Sequence, residues 1–478
     1  MVSTAKNTAY LLLAYVYQKL IALFYFILLA RFLGADNFGK YTFALSFAAL
    51  FSVLIDFGLF QVLTREVARD QTKAKEYFGN ILGFCLLSGL GVLGLIALII
   101  NLLNYPLITK QVVYCTGLVI FLDTLALCFY YTLRGYLNTK YEAWGIILHK
   151  SVMLLTGLFL MAQGASLILM ILPLFLGSVF YLGSAIFFLK KKINLWPIPS
   201  FNKNILKKLL KISWPFFLAA VFSKLYSTSD TILLSYLSGD KAVGWYSASL
   251  KLVNAFLLLI AGSLSSALYP SLSYYFVHAK EKLNVVFTQA LFYLIFLIIP
   301  LVFAFIILSE PIIFFIYGAE YAPSVLILIL LSLAIPFMFL DFIMVALLNA
   351  CERQKTNTLI HGLGVGVFII FNLILIPRFD YLGAALAVIL GFLVIFILEI
   401  ISIKGIIKIK KSHLFKKIGL TFLASLTMGM VLFLIKERVH LGFSVLTGFS
   451  VYFVFAYLFN LINQKDFLFL KEIFHWRA

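Results

Sequence analysis

Charged residues are scarce in this sequence. Only 12% of the 478 residues are Asp, Glu, Lys or Arg, and 63% are hydrophobic, whereas a soluble domain has about 25% charged residues. No stretch of roughly 40 residues is without a long apolar run, so there is no room for a soluble domain of ordinary size. The composition therefore predicts a polytopic membrane protein and excludes an assembly of soluble domains.

Acidic residues are few, and cysteine motifs and nucleotide-binding motifs are absent from the sequence. Asp and Glu number 19 against 38 Lys and Arg, which gives a net charge of +19. The basic residues lie in short loops between apolar runs, so anionic lipid headgroups and membrane orientation explain them better than nucleic acid does. The four cysteines form no CxxC pair, and neither a Gly-rich phosphate loop nor a metal-spaced His/Cys cluster occurs. We therefore expect no redox chemistry, no cofactor and no bound metal.

Apolar runs long enough to cross a bilayer occur along the whole chain. A hydrocarbon core about 30 Å thick needs roughly 20 apolar residues per helix. Fourteen runs of this kind predict an all-α protein with fourteen transmembrane helices. Their approximate limits are 9–31, 41–62, 78–103, 112–134, 143–162, 166–189, 212–236, 243–268, 285–308, 323–349, 357–376, 381–403, 415–435 and 441–463.

Lysine and arginine are distributed unequally between alternate loops. With the N-terminus placed in the cytoplasm, the inner side carries 27 of these residues and the outer side seven, while four lie inside spans. This asymmetry is the positive-inside pattern. It predicts a multi-pass protein of the cell membrane, and because the number of spans is even, both termini are predicted to be cytoplasmic.

Two basic linkers divide the predicted spans into groups of six, six and two. We predict an N-terminal six-helix lobe at 1–190, a cytoplasmic linker at 191–211 and a C-terminal six-helix lobe at 212–403. A second basic linker, two additional helices and a tail follow at 404–478. Within the tail, residues 467–476 are predicted to lie in the plane of the membrane.

One segment of the sequence is repeated at a constant offset of 205 residues. Residues 27–41 align without a gap with residues 232–246, so Gly34 and Gly39 each have a glycine counterpart in the second copy. The two six-span halves therefore look like duplicates. Because six is even, both halves enter the membrane in the same direction, and we expect an axis along the membrane normal to relate them.

Four lysines lie within the predicted spans. An ionised side chain at the bilayer centre costs about 2.5 to 3.5 kcal/mol on insertion scales, so such residues usually face a bundle interior or a wet cavity. The offset of 205 gives Lys19 and Lys224 equivalent mid-membrane positions, and we predict that they face each other across a cavity and bind a transported anion. Lys251 and Lys150 lie closer to span ends and are further candidates, although both positions allow snorkelling. Lysine suits a phosphate because its ammonium is a compact point charge.

The deeper acidic residues are candidates for binding a coupling ion. Asp123, Asp230 and Asp341 lie well inside predicted spans and could hold H+ or Na+. The alternative is a structural use, in which an aspartate pairs with a lysine or makes a hydrogen bond between helices. Lys224 and Asp230 do not simply pair with each other, because six residues place them on different faces of a helix.

A series of short motifs follows in order along most of the first 390 residues. They are Leu29 to Gly34, Phe38 to Tyr41, Asp56 to Leu59, Val243 to Tyr246, Tyr317 to Tyr321, Asn372 to Pro377 and Gly383 to Ala385. In this order they resemble the MOP superfamily of exporters, and within it the polysaccharide-biosynthesis flippases of the Wzx type, which include O-antigen flippases.

The resemblance implies both an architecture and an activity. It implies two six-helix lobes forming a V, with two extra helices, and export of an oligosaccharide linked to a polyprenyl pyrophosphate from the inner to the outer leaflet. It also implies alternating access coupled to an ion gradient, and pyrophosphate contacts by basic residues on the first helix of each lobe, here Lys19 and Lys224. Membrane lipids, H+ or Na+ and polysaccharide-assembly enzymes are candidate partners, whereas nucleic acid is not.

Three alternatives remain at this point. A multidrug and toxin extrusion exporter has the same fold but usually twelve spans and acidic cavity residues, whereas a lipid II flippase also has fourteen spans. A membrane glycosyltransferase or polymerase would need an outward loop with acidic or arginine catalytic groups. The longest predicted outer loop, about 309–322, carries only Glu310 and Glu320. We therefore expect a transporter and not an enzyme.

Overall fold

The chain is helical in the part that the structure describes. The computed structural model describes residues 4–196, 198–407 and 411–461, and within these ranges it has sixteen α-helices and no β-strand. The all-α prediction is confirmed, as expected where lipid offers the backbone no hydrogen-bond partner. The helices are α1 (Thr4–Asp56), α2 (Leu59–Arg69), α3 (Ala74–Leu102), α4 (Leu107–Gly135), α5 (Thr139–Ala162), α6 (Leu172–Ile193), α7 (Lys203–Ser238), α8 (Asp240–Leu257), α9 (Ser263–His278), α10 (Lys280–Ile307), α11 (Ser309–Ile316), α12 (Pro323–Ala350), α13 (Gln354–Phe379), α14 (Tyr381–Ile403), α15 (Lys411–Ile435) and α16 (Leu441–Leu458).

The helices account for the fourteen predicted spans. Twelve helical stretches are long and apolar enough to cross a bilayer. The first of them, Tyr10–Arg69, covers two predicted spans, 9–31 and 41–62, because α1 continues through a kink at Gly34. A further helix outside the twelve, α7, contains the span predicted at 212–236. Counting Tyr10–Arg69 as two spans and adding α7 brings the twelve stretches to the fourteen predicted spans. The protein is therefore a multi-pass membrane protein.

The chain forms two compact units, Met1–Gly244 and Trp245–Ala478. In the first unit α1 packs against α4, α5 and α7, and α4 also packs against α3 and α6. In the second, α10 packs against α12 and α15, and α14 packs against α12 and α13, so the two additional helices α15 and α16 belong to this unit. The predicted lobe limits, 1–190 and 212–403, stay a prediction.

The first basic linker is short in the structure. α6 continues to Ile193 and α7 begins at Lys203, so helices include both ends of the segment predicted at 191–211. Asn202 caps α7, because its side chain accepts hydrogen bonds from two backbone N–H groups of the first turn. The backbone N–H of Asn202 donates to Oδ1 of Asn80 on α3 at 2.6 Å, which holds the linker against that helix. The tail segment predicted at 467–476 lies outside the described residues.

Gly34 and Gly239 have the same unusual backbone conformation. Their φ and ψ angles are 70° and 170° at Gly34, and 89° and 171° at Gly239. Positive φ at this ψ is accessible to glycine and very costly for other residues. Each glycine separates one membrane-spanning segment from the helix that follows, so both copies of the repeat turn in the same way. The shared conformation supports the duplication inferred from the offset of 205.

The two copies of the repeat also contact each other within the first unit. A Cβ on Gly39 would lie 1.6 Å from the carbonyl oxygen of Asp240, and a Cβ on Gly244 would lie 2.0 Å from that of Ala35. Since Ala35 and Asp240 are themselves 205 residues apart, the two contacts are equivalent under the repeat. Only glycine lets two helix backbones approach so closely. We call this pair of contacts the glycine crossing.

Candidate functional site

Two of the predicted lysines, Lys19 and Lys150, lie on neighbouring helices of the first unit. α1 packs along α5, and a hydrogen bond of 2.7 Å between Tyr17 and Ser151 joins the two helices beside the lysines. Lys19 lies close enough to Lys150 for their positive charges to repel each other. The Lys19 side chain is exposed, and that of Lys150 is half-buried. The structure therefore places two cations next to each other on a membrane-spanning surface.

Asp123 on α4 is the acidic neighbour of Lys150. The two charges attract each other, so Lys150 is partly compensated within the bundle. Lys19 makes no ion pair with any carboxylate in the described ranges. Lys19, Lys150 and Asp123 together have one net positive charge. Because Asp123 compensates Lys150, this remaining charge is that of the exposed Lys19.

Arg134 extends this basic region toward the end of α4. Its Nε donates to Oε2 of Glu142 at 2.6 Å, its Nη2 donates to the other carboxylate oxygen, and Nη2 also donates to the Tyr15 hydroxyl at 2.9 Å. Glu142 is only 1% exposed, whereas Arg134 is 22% exposed. Tyr15 precedes Lys19 by four residues and therefore lies on the same face of α1. We call Arg134, Lys19 and Lys150 the basic strip.

Sequence reasoning missed Arg134 as a site residue. It lies at the end of a predicted span, where a basic residue fits the positive-inside pattern and needs no other explanation. Glu142 follows eight residues later on the next helix, beyond a turn with Leu137 at φ 57°. Only the folded arrangement of α1, α4 and α5 brings this ion pair beside Tyr15.

Lys224 lies in a different environment from Lys19. It is half-buried on α7, and Asp56 at the end of α1 is close enough to attract it. Phe57 stacks on Phe217 with ring centroids 3.9 Å apart, and a Cβ on Gly58 would lie 2.7 Å from the backbone nitrogen of Phe217. These contacts hold α7 against the end of α1 and so bring Lys224 near Asp56. The charged neighbour of Lys224 is therefore acidic, whereas that of Lys19, Lys150, is basic. The predicted meeting of Lys19 and Lys224 in one cavity stays a prediction.

The remaining predicted residues are Lys251, Asp230 and Asp341. Lys251 is exposed on α8 in the second unit. Asp230 is only 3% exposed on α7, where its Oδ1 accepts a hydrogen bond of 2.6 Å from the backbone N–H of Thr231. Asp341 lies on α12 in the second unit, close to residues from two other helices. The three predicted ion-binding acids, Asp123, Asp230 and Asp341, therefore lie on three different helices, α4, α7 and α12.

Asp341 belongs to a cluster with His361 and Glu399. The three side chains come from α12, α13 and α14, and one potential ligand atom from each lies within 4.8 Å of the other two. Nε2 of His361 is 3.5 Å from Oδ1 of Asp341. Glu399 is fully buried, and neither of its carboxylate oxygens accepts a hydrogen bond from a described residue. Sequence reasoning assigned no role to His361 or Glu399, because the cluster draws one residue from each of three helices.

Comparison with known proteins places the chain in a family. The family model described as "Polysaccharide biosynthesis protein" matches residues 4–276, more than half of the chain. The chain belongs to the polysaccharide biosynthesis protein family. A second family model, MatE, matches residues 215–374. The resemblance to MOP superfamily polysaccharide-biosynthesis proteins, drawn from the order of the motifs, is confirmed.

Individual relatives agree with this assignment. The probable low-salt glycan biosynthesis flippase Agl15 of Haloferax volcanii is 23% identical over 454 residues, covering 92% of each chain. Among solved structures, the lipid II flippase MurJ in an inward closed conformation matches with a TM-score of 0.78 and 19% identity, covering 94% of this chain and 98% of that one. An inward-facing MATE multidrug resistance transporter of the MOP superfamily matches with a TM-score of 0.65 and 14% identity, covering 81% and 95%. This chain thus shares its all-α fold with the lipid II flippase MurJ and with MATE transporters of the MOP superfamily.

Proposed function

We propose that the protein is a flippase that moves a polyprenyl-pyrophosphate-linked oligosaccharide from the inner to the outer leaflet by alternating access. The observation that carries this proposal is the basic strip on the membrane-spanning helices of a polysaccharide biosynthesis family member. Two of the similar proteins are themselves named flippases, one for glycan biosynthesis and one for lipid II. The protein is proposed to transport its substrate without changing it chemically.

The charge of the basic strip suits a pyrophosphate headgroup. A pyrophosphate has several negatively charged oxygens, which ammonium and guanidinium groups bind through charge-assisted hydrogen bonds. Arg134 and Lys150 each have a carboxylate as a neighbour, whereas Lys19 keeps an exposed charge without an acidic partner among the described residues. Lys19 is therefore the main proposed contact. Lys150, Lys224 and Lys251 are proposed as further contacts.

The order of the basic strip along the helices suggests a path for the headgroup. In the proposed orientation both termini are cytoplasmic, so Arg134 in the last turn of α4 lies at the cytoplasmic end. Lys150 follows Glu142 by eight residues on α5, which places it roughly 12 Å deeper. A headgroup entering from the cytoplasmic leaflet would meet Arg134 first and then Lys19 and Lys150.

Ion coupling is the second part of this proposal. Asp123, Asp230 and Asp341 are the groups proposed to bind H+ or Na+, and Asp123 interacts electrostatically with Lys150 of the basic strip. A cation taken up at Asp123 would leave Lys150 less compensated and would strengthen binding of an anion. Polysaccharide-assembly enzymes are proposed partners at the basic cytoplasmic segments.

A multidrug exporter is the second candidate function. The MatE model matches residues 215–374, and several solved MATE transporters have the same fold. An exporter of organic cations would have to carry a positive charge past Lys19 and Lys150, which would repel it. The basic strip therefore favours an anionic substrate.

Leaflet-resolved labelling of the glycan lipid in cells tests the proposed function. Cells with the native gene, cells without it and cells with a restored copy are treated with membrane-impermeant periodate, and the oxidised glycan is then captured with a hydrazide dye. We expect the deletion strain to accumulate unlabelled glycan lipid in the inner leaflet, and the restored copy to reverse this. Unchanged labelling in the deletion strain would point to another substrate.

A further inference from the structure

The cluster of Asp341, His361 and Glu399 brings two carboxyl groups together without a lysine or arginine beside them. With both carboxyls ionised and the histidine neutral, the cluster has a charge of −2, and no lysine or arginine in the described residues forms an ion pair with either carboxyl. Glu399 is fully buried, and Oδ1 of Asp341 also accepts no hydrogen bond from a described residue. Burying an ionised carboxylate without a partner is costly. A bound cation would remove this cost, and so would a proton shared by the two carboxylates.

We infer that Asp341, His361 and Glu399 form a binding site for one divalent transition-metal ion of the zinc class. The charge of such an ion matches the two carboxylates, so the occupied site is neutral in the low-dielectric interior. A monovalent ion would leave one negative charge. The imidazole nitrogen also selects against Mg²⁺ and Ca²⁺, which prefer oxygen ligands, and in favour of zinc and the transition metals that bind imidazole well, such as copper, iron and nickel.

The geometry of the cluster fits ligands around a single ion. Nε2 of His361 and Oδ1 of Asp341 are 3.5 Å apart, which is long for a hydrogen bond. Two ligands at about 2.1 Å from a tetrahedral ion are separated by about 3.4 Å, which is nearly the observed spacing. The widest separation between ligand atoms in the cluster is no more than 4.8 Å, so a side-chain movement of at most about 1.4 Å would bring all three ligand atoms to this spacing.

The cluster has an opening for the ion. The side chain of His361 is 32% exposed and that of Asp341 is 14% exposed, while Glu399 lies behind them. Glu399 is four residues from the end of α14 at Ile403, about 6 Å along the helix, so the path from the end of the bundle is short. Three protein ligands with one open side leave a fourth position for water.

Direct metal binding to the purified full-length chain tests this inference without any transport measurement. The protein is stripped with EDTA, equilibrated with ZnCl₂ and analysed for bound zinc, and CoCl₂ is used separately so that the absorption spectrum reports the coordination. We expect one ion per chain, and we expect the absorption spectrum of the cobalt-loaded protein to be that of a four-coordinate ion. Glu399→Gln and His361→Gln should each weaken zinc binding by more than about 100-fold, since loss of an outer-shell partner alone costs 10- to 100-fold.

Matched controls separate this site from adventitious binding. Glu310→Gln and His278→Gln remove an exposed carboxylate and an exposed imidazole elsewhere in the chain, and both should keep full zinc binding. The carboxylates of Asp341 and Glu399 are close enough to share a proton, which is the rival way to neutralise the cluster. Absence of stoichiometric zinc binding, or binding that survives both cluster substitutions, would overturn the inference in favour of that shared proton.

An occupied metal site would also narrow the search for the coupling ion. A divalent ion held by Asp341 would remove this carboxylate from the groups available to H+ or Na+. Asp123 and Asp230 would then remain, both in the first unit. Zinc binding is measured on the purified protein alone. Its outcome is therefore independent of whether the protein is a glycan flippase.

Discussion

Replacing Gly39 or Gly244 with alanine is expected to destabilise the protein strongly. The new Cβ would lie 1.6 or 2.0 Å from a backbone carbonyl oxygen, and a backbone, unlike the end of a side chain, does not move away at low cost. Overpacking usually costs about 1 to 3 kcal/mol, and a clash between backbones belongs at the upper end of that range. The thermal midpoint of unfolding of the purified protein in detergent measures this loss.

The glycine crossing provides its own internal controls. Gly94 on α3 has no heavy atom near its would-be Cβ, so Gly94→Ala should leave the midpoint unchanged or raise it, because alanine favours helix by about 1 kcal/mol. The double variant Gly39→Ala with Gly244→Ala should cost less than the sum of the single variants. Once one substitution has separated the helices, the equivalent contact no longer clashes. Equal midpoints for Gly39→Ala and Gly94→Ala would show that these helices do not cross as described.

Removing the charge of Lys19 is expected to slow glycan transport by roughly 30-fold. A charge-assisted hydrogen bond contributes about 1.5 to 3 kcal/mol, and every 1.4 kcal/mol corresponds to a factor of ten. The fold should be unaffected, because the side chain is exposed and makes no ion pair with a described carboxylate. Leaflet-resolved labelling of Lys19→Ala cells at matched expression measures the transport rate.

Two further variants make this result specific. Lys19→Arg keeps the positive charge and should transport at close to the native rate. Lys207→Ala removes the same charge from an exposed position before the predicted span of α7 and should also be close to native. If Lys19→Ala transports normally, or if Lys207→Ala is equally slow, the basic strip does not bind the headgroup in the way proposed.

The fold could be predicted from the sequence because it depends on local composition. Each span needs about 20 apolar residues, and this requirement is visible in a single sequence. The repeat was visible for a similar reason. The turns at Gly34 and Gly239 require glycine, so a glycine recurs in the sequence at the fixed offset. The close backbone contacts of the other glycine pair, Gly39 and Gly244, became visible only in the structure.

The site was less predictable because it depends on which helices are neighbours. Hydropathy reveals that Lys19 and Lys150 lie in spans, but their proximity depends on the packing of α1 against α5. Arg134 looked like an orientation signal, and Glu399 looked like one of several acids near a span end. The offset of the repeat predicts that Lys19 and Lys224 face each other across a cavity, and this stays a prediction. Their immediate charged neighbours, Lys150 for Lys19 and Asp56 for Lys224, became visible only in the structure.

Reconstitution of the purified protein into sealed liposomes tests the central claim most directly. The liposomes carry a fluorescent polyprenyl-pyrophosphate oligosaccharide, and a glycan-cleaving enzyme added outside measures how fast the inner-leaflet pool becomes accessible. We expect the native protein to make this pool accessible and Lys19→Ala to slow the process, while Lys207→Ala should not slow it. An accessibility rate no faster than that of protein-free liposomes, with and without an applied ion gradient, would contradict the proposed flippase activity.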